Sequence, residues 1–299
     1  MVQLLKPNGR TGNPRAILYF AKAFSLLPNF ITHSMADVLG RVAFWLYRNE
    51  RHLALKNVRC FYPDANPSIQ RTIVRQSFQH MVQSAFDLIR FATEESDRWP
   101  TVTIKHLERM QTAISKGRGV VVITGHYGNL EILVSALKNI SSCPGLLWYK
   151  PTRELGWVVD QFRRYRHEIL TPKFEFELLE SSMSGVRRAA QLLRGSNVVI
   201  MAADLIFGSG FIPVTFLDRT FPMSRVPASL ALRTRAILLP VITVRCNDGH
   251  YNIIVEEAIE HPINVTKSDS ERMMTESFAR ILAHHIESTP EQWCWTQLV

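Results

Sequence analysis

Four consecutive β-branched residues, Val120-Val121-Val122-Ile123, run straight into Thr124-Gly125-His126-Tyr127-Gly128-Asn129 and then into the apolar stretch Leu130-Glu131-Ile132-Leu133. A run that is apolar at every position, not at every second one, predicts a strand covered on both faces, as strands of a parallel sheet are. The same rhythm returns along the chain. Short apolar runs predict strands at residues 146–149, 198–201, 211–216, 237–244 and 251–255, and helical spacing predicts helices at 130–137, 157–166, 184–193 and 268–286. Strand and helix in alternation predict an α/β fold, a mostly parallel central sheet flanked by helices.

The first hundred residues read differently. Met35, Val38, Leu39, Val42, Ala43 and Leu46 recur at helical spacing, and a second helical run covers residues 67–92 with Ile73, Val74, Phe78, Met81, Val82, Ala85 and Leu88 on one broad face. Asn66 fits its N-cap and Pro67 its first position. No Pro/Gly/Ser-rich linker follows. The expected organisation is a helical N-terminal elaboration (residues 1–100) on an α/β core (residues 101–299), as one continuous domain.

The charge balance of +9 calls for an anionic partner: nucleic acid, anionic lipid or an acidic carrier protein. Arg41, Arg48, Arg51, Lys56 and Arg59 form one basic cluster, and Arg163, Arg164, Arg166 and His167 a second. Residues 16–36 are rich in Ile, Leu, Phe and Ala, but Lys22 and Pro28 interrupt them. A spanning helix usually needs roughly 20 mainly apolar residues. The segment therefore reads as interfacial or buried, with a span through a snorkelling Lys22 as the second option. Cys60, Cys143, Cys246 and Cys294 form no C-x-x-C pair, which fits a reducing compartment.

The strand-turn-helix at residues 119–131 carries the candidate chemistry. Side chains at the carboxyl end of such a strand line the crevice where α/β proteins bind ligands. Gly125 and Gly128 let the turn bend sharply, and Asn129 can cap the helix that contains Glu131. His126 and Glu131 on one helix would lie about 140° apart. They meet only if His126 sits in the turn and folds back over the first helical residues. Glu131 is then expected to hold one tautomer of the imidazole and stabilise its protonated form. On these residues alone, a scaffolding role stands beside the catalytic one.

Gly125-His126-Tyr127-Gly128-Asn129-Leu130-Glu131 resembles the His-x4-Asp/Glu motif of the glycerolipid acyltransferase superfamily. More narrowly, the chain is similar to the bacterial lipid A biosynthesis (lauroyl/myristoyl) acyltransferases. Further short motifs follow in the family's order: Leu39-Gly40-Arg41, Ala54-Leu55-Lys56-Asn57-Val58-Arg59-Cys60-Phe61-Tyr62-Pro63, Tyr149-Lys150-Pro151, Ala203-Asp204, residues 208–216, Pro227-Ala228-Ser229, Pro240, and Pro290-Glu291-Gln292-Trp293-Cys294-Trp295. The likeness covers roughly residues 16–296. It implies transfer of a fatty acyl group from an acyl thioester, on acyl-carrier protein or coenzyme A, to a hydroxyl or amine of a glycolipid, lipid A precursor or other amphiphilic acceptor. It implies no covalent acyl-enzyme and no cofactor, with His126 as general base and Glu131 as its orienting partner. An acyl thioesterase using the same pair on water is the alternative. The expected location is the cytoplasmic face of the bacterial inner membrane, peripheral or with a single N-terminal anchor, against an anionic membrane surface.

Other candidates keep two readings each. Backbone N–H groups of Gly128 and Asn129, or Arg163, Arg164 and Arg166, can stabilise the oxyanion or bind a substrate phosphate; the arginines can equally be the wet face of a helix. Asp204 follows a buried strand and either serves the site or caps a turn. Phe207, Phe211 and Phe216 line an acyl channel or belong to the core, and Trp293 and Trp295 anchor at a lipid interface or pack the C-terminus. No metal is expected, since His284-His285 cannot ligate one ion from one helix face and His167-Glu168 lacks a second histidine. No aromatic-basic interleaving supports nucleic-acid binding, and there is no G-x-S-x-G elbow or Walker loop.

Overall fold

A computed structural model of the chain describes residues 23–24, 26–91, 101–137, 145–148, 177–180, 182–204 and 210–296. Three helices come first: α1 (Asn29–Leu46), α2 (Arg48–Phe61) and α3 (Pro67–Phe91). Asn66 caps α3 as its sequence position suggests, its side-chain oxygen accepting the Ser68 amide at 2.9 Å. Strand and helix then alternate: β1 (Val102–Lys105), α4 (Leu107–Ser115), β2 (Val120–Thr124), α5 (Leu130–Leu137), β3 (Gly145–Trp148), β4 (Glu177–Glu180), α6 (Met183–Arg194) and β5 (Val198–Ala202). The hairpin β6 (Phe211–Phe216) and β7 (Arg219–Ser224) comes next, then α7 (Val226–Thr234), β8 (Ile237–Arg245), β9 (Tyr251–Val255) and α8 (Lys267–Ser288).

Seven strands form one sheet in the order β1-β9-β8-β2-β5-β3-β4. The five from β8 to β4 pair in parallel, while β9 runs antiparallel to β8 and parallel to β1. All five residues of β2 are buried, as its unbroken apolar run requires. Alternate residues feed two cores: Val121 and Ile123 pack with Phe278, Leu282 and Trp293, whereas Val120 and Val122 pack with Met110, Leu133 and Val134. β1, β4 and β7 are absent from the sequence expectations, because four to six residues of mixed polarity carry no clear period. The predicted helix at 157–166 lies outside the described residues.

Helix α1 does not bury most of the apolar residues whose spacing marks it. The face of α1 that packs on α3 is Thr32, Ala36, Gly40 and Phe44. Gly40 permits that close contact, since a Cβ there would stand 2.4 Å from the Gln79 Cα. Met35, Val38, Leu39, Val42 and Leu46, the residues that revealed the helix, are exposed. Periodicity identifies a helix, but small residues decide which side can approach a neighbour.

Candidate active site

Thr124 and Ala202 are register partners at the ends of β2 and β5. Two residues beyond each, His126 and Asp204 therefore stand side by side, although 78 residues separate them. The Asp204 carboxylate is fully buried and accepts three hydrogen bonds. Its Oδ1 accepts from Nδ1 of His126 at 2.8 Å, and its Oδ2 from the His126 amide at 2.7 Å and the Trp293 indole at 2.8 Å. Burial works against its ionisation. The adjacent His126, with its two hydrogen bonds, and the Trp293 indole nevertheless hold the carboxyl below the usual carboxylate range.

This arrangement sets the tautomer. With Nδ1–H donated to a carboxylate, the lone pair of the neutral ring lies on Nε2. Nε2 makes no hydrogen bond among the described residues, and the ring is 21% exposed. A strand-end imidazole with one nitrogen held and the other open can accept a proton from a bound hydroxyl. Gly125 leaves room for the pair, since a Cβ there would lie 3.0 Å from Asp204 Oδ2 and 2.8 Å from Leu282.

The turn itself is clasped from two sides. Residues after α8 lie against it: Cys294 N–H donates to His126 O at 3.0 Å, and Gly128 N–H donates to Gln292 O at 3.0 Å, with Tyr127 and Trp293 bridged between. Tyr127 Oη–H donates to the carbonyl of His285 at 2.9 Å. From the other side, Nε2–H of the buried His80 on α3 donates to Gly128 O at 3.1 Å. Desolvation lowers the His80 pKa to about 4, so its ring is neutral at neutral pH. Below the turn, Asp87 of α3 accepts from Arg245 Nε at 2.9 Å and from the Tyr251 hydroxyl at 2.7 Å.

The sequence candidates fall into place unevenly. Asn129 caps α5, its side-chain oxygen accepting the amides of Glu131 and Ile132 at 3.1 and 3.4 Å, while its NH2 donates to Ser84 O. Gly128 has φ +64°, and its amide is engaged by Gln292, which removes it as an oxyanion donor. Glu131 stands in the first turn of α5, but the carboxylate on Nδ1 of His126 belongs to Asp204. Sequence spacing pointed to the nearer acid; the sheet register delivers the one on the neighbouring strand. Arg163, Arg164, Arg166 and Phe207 lie outside the described residues.

Trp293 and Trp295 are 1% and 0% exposed, which removes them as interface anchors. They pack edge-on at 4.7 Å and meet Phe61 and, for Trp293, Phe216, which is equally buried. The indole contact to Asp204 and the His80 contact to the turn have no local sequence signal. The Asp204 contact had one: like His126, it follows a buried strand by two residues.

No curated protein matches the chain. The family model of the bacterial lipid A biosynthesis acyltransferases matches residues 14–298. With a family match over nearly its whole length, this chain belongs to the bacterial lipid A biosynthesis acyltransferase family, and it is an acyltransferase.

Proposed function

We propose that the enzyme moves a fatty acyl group from an acyl thioester, on acyl-carrier protein or coenzyme A, to a hydroxyl or amine of a lipid A precursor, glycolipid or other amphiphilic acceptor. The observation that carries this reading is the His126–Asp204 pair, with Nε2 open beside a turn clasped on both sides. Nε2 takes the acceptor's proton as its oxygen bonds to the thioester carbonyl carbon. Asp204 holds the ring through Nδ1–H and its charge stabilises the imidazolium. Collapse of the tetrahedral adduct breaks the carbon–sulfur bond, and the departing thiolate recovers the proton from Nε2.

Glu131 remains in the mechanism as the acid of the His-x4-Glu motif. The orienting hydrogen bond to Nδ1 comes from Asp204, and Glu131 stands in the first turn of the helix that follows the His126 turn. Arg163, Arg164 and Arg166 are the candidates for a substrate phosphate. The helices of residues 1–100 form the membrane-proximal part and residues 101–299 the catalytic core, at the cytoplasmic face of the inner membrane. No helix of the described residues is long and apolar enough to cross a membrane.

The test is transfer from a labelled acyl thioester to an extracted lipid acceptor. His126→Ala should lower the rate by about 10²–10⁴-fold with the fold intact. Wild-type transfer by that variant, or acyl release by the wild type that ignores the acceptor, would sink the assignment.

A further inference from the structure

Helix α1 is apolar on two opposite sides. Thr32, Ala36, Gly40 and Phe44 are buried against α3, and across the helix Val38, Val42, Trp45 and Leu46 are 45–71% exposed. At 100° per residue these four lie within an arc of about 100°. A soluble helix is ordinarily polar on the side away from its core. The next helix, α2, carries the opposite chemistry. Arg48, His52, Lys56 and Arg59 are exposed and fall within an arc of about 80°, making a basic stripe that starts where the apolar arc ends.

Beside the stripe lies a recess of about 490 Å³, with Arg48, Arg51 and His52 of α2 and Arg71 of α3 around Phe44 and Leu55. The Arg51 guanidinium sits 5.2 Å from the Phe44 ring centre, and that of Arg71 5.3 Å from the Trp45 ring centre. The cations thus rest on aromatic rings at the border between apolar and basic surface, which is how side chains are arranged at a lipid–water boundary.

We infer that α1 and α2 form a docking face for an anionic bilayer, with the arc of Val38, Val42, Trp45 and Leu46 entering the headgroup region and a lipid phosphate held in the arginine recess. This inference rests on the proposed action at a membrane surface and deepens it. Charge selects the occupant. A second copy would bring basic stripe against basic stripe, and a nucleic acid would leave the apolar arc uncovered. Anionic lipid satisfies both surfaces together. The face is also tied to the chemistry, because α1 packs on α3, whose His80 meets the catalytic turn, and His33 of α1 meets Arg245 at 2.9 Å.

Flotation of the full chain with vesicles tests the face without reference to catalysis. Binding to phosphatidylcholine vesicles containing phosphatidylglycerol should exceed binding to phosphatidylcholine alone. Arg48→Gln with Lys56→Gln should weaken it about 30-fold, two surface cations near an anionic leaflet being removed. Trp45→Ser with Leu46→Ser should weaken it about tenfold or more. All four side chains are exposed, so melting temperature should hold, and transfer to a water-soluble acceptor should be unchanged. Absence of transfer by the wild type, with its vesicle binding intact and that of both variants weakened, would remove the proposed reaction and leave the docking face standing. The inference is overturned if both variants bind vesicles like the wild type. It is overturned equally if the apolar variant breaks a dimer, or the binding of an acidic carrier protein, while vesicle binding persists.

Discussion

Replacing Asp204 by Asn changes one atom and removes one charge, and the donors around the side chain decide which way the new amide turns. Oδ2 accepts two N–H groups, from the His126 amide and the Trp293 indole, whereas Oδ1 accepts only Nδ1–H. The amide should therefore settle with its oxygen at the two-donor corner. The opposite flip would set an NH2 against two donors in a fully buried place, at about 1–3 kcal/mol for each group left unsatisfied. The favoured flip puts the NH2 against Nδ1, which must then present its lone pair. The ring proton moves to Nε2, the atom that receives the acceptor's proton in the proposed reaction. The imidazole stays in position but no longer works as a base.

The expected loss of rate is about 10²–10⁴-fold, or about 3–5 kcal/mol of barrier. Stability should fall by only about 1–3 kcal/mol, since the hydrogen-bond geometry survives. Thiol release from an acyl thioester, measured with lipid acceptor present, reads the rate. Nitrogen NMR of labelled histidine reads which ring nitrogen carries the proton. Transfer within a few-fold of wild type, or an Nδ1–H tautomer persisting in the variant, would refute the reasoning.

Gly128→Ala should destabilise the chain by more than about 3 kcal/mol, because its φ of +64° is strained for alanine and the new Cβ would lie 1.8 Å from Thr243 O. An unchanged urea midpoint would contradict it. His80 predicts a pH dependence. The folded chain keeps this ring neutral down to about pH 4, while the unfolded chain protonates it near 6.5, so acid favours unfolding. Between pH 6.5 and 4 stability should drop by about 3 kcal/mol on this account and then level off. In His80→Gln that part of the decline should vanish; equal slopes in urea titrations of both proteins would exclude it.

What could be read from the chain alone was what depends on local order. The run at 120–123 had to be a doubly covered strand because every position is apolar, and β2 is buried along its whole length. Asn66 and Asn129 act as helix caps where their positions predicted. The place of His126 was also legible, since a histidine in a glycine-bearing turn after a buried strand stands at the carboxyl end of the sheet, where α/β proteins bind ligands.

Its partner was not legible. Whether Nδ1 meets Glu131, five residues on, or Asp204, 78 residues on, depends on which strand neighbours β2, and sheet order is set by the packing of all strands and helices together. The same holds for the Trp293 indole on Asp204, the His80 contact to Gly128, and the side of α1 turned outward. Periodicity along a chain reports which residues share a face. Only the packed structure decides what that face meets, because contacts between distant segments are chosen by shape and hydrogen bonding across the whole molecule.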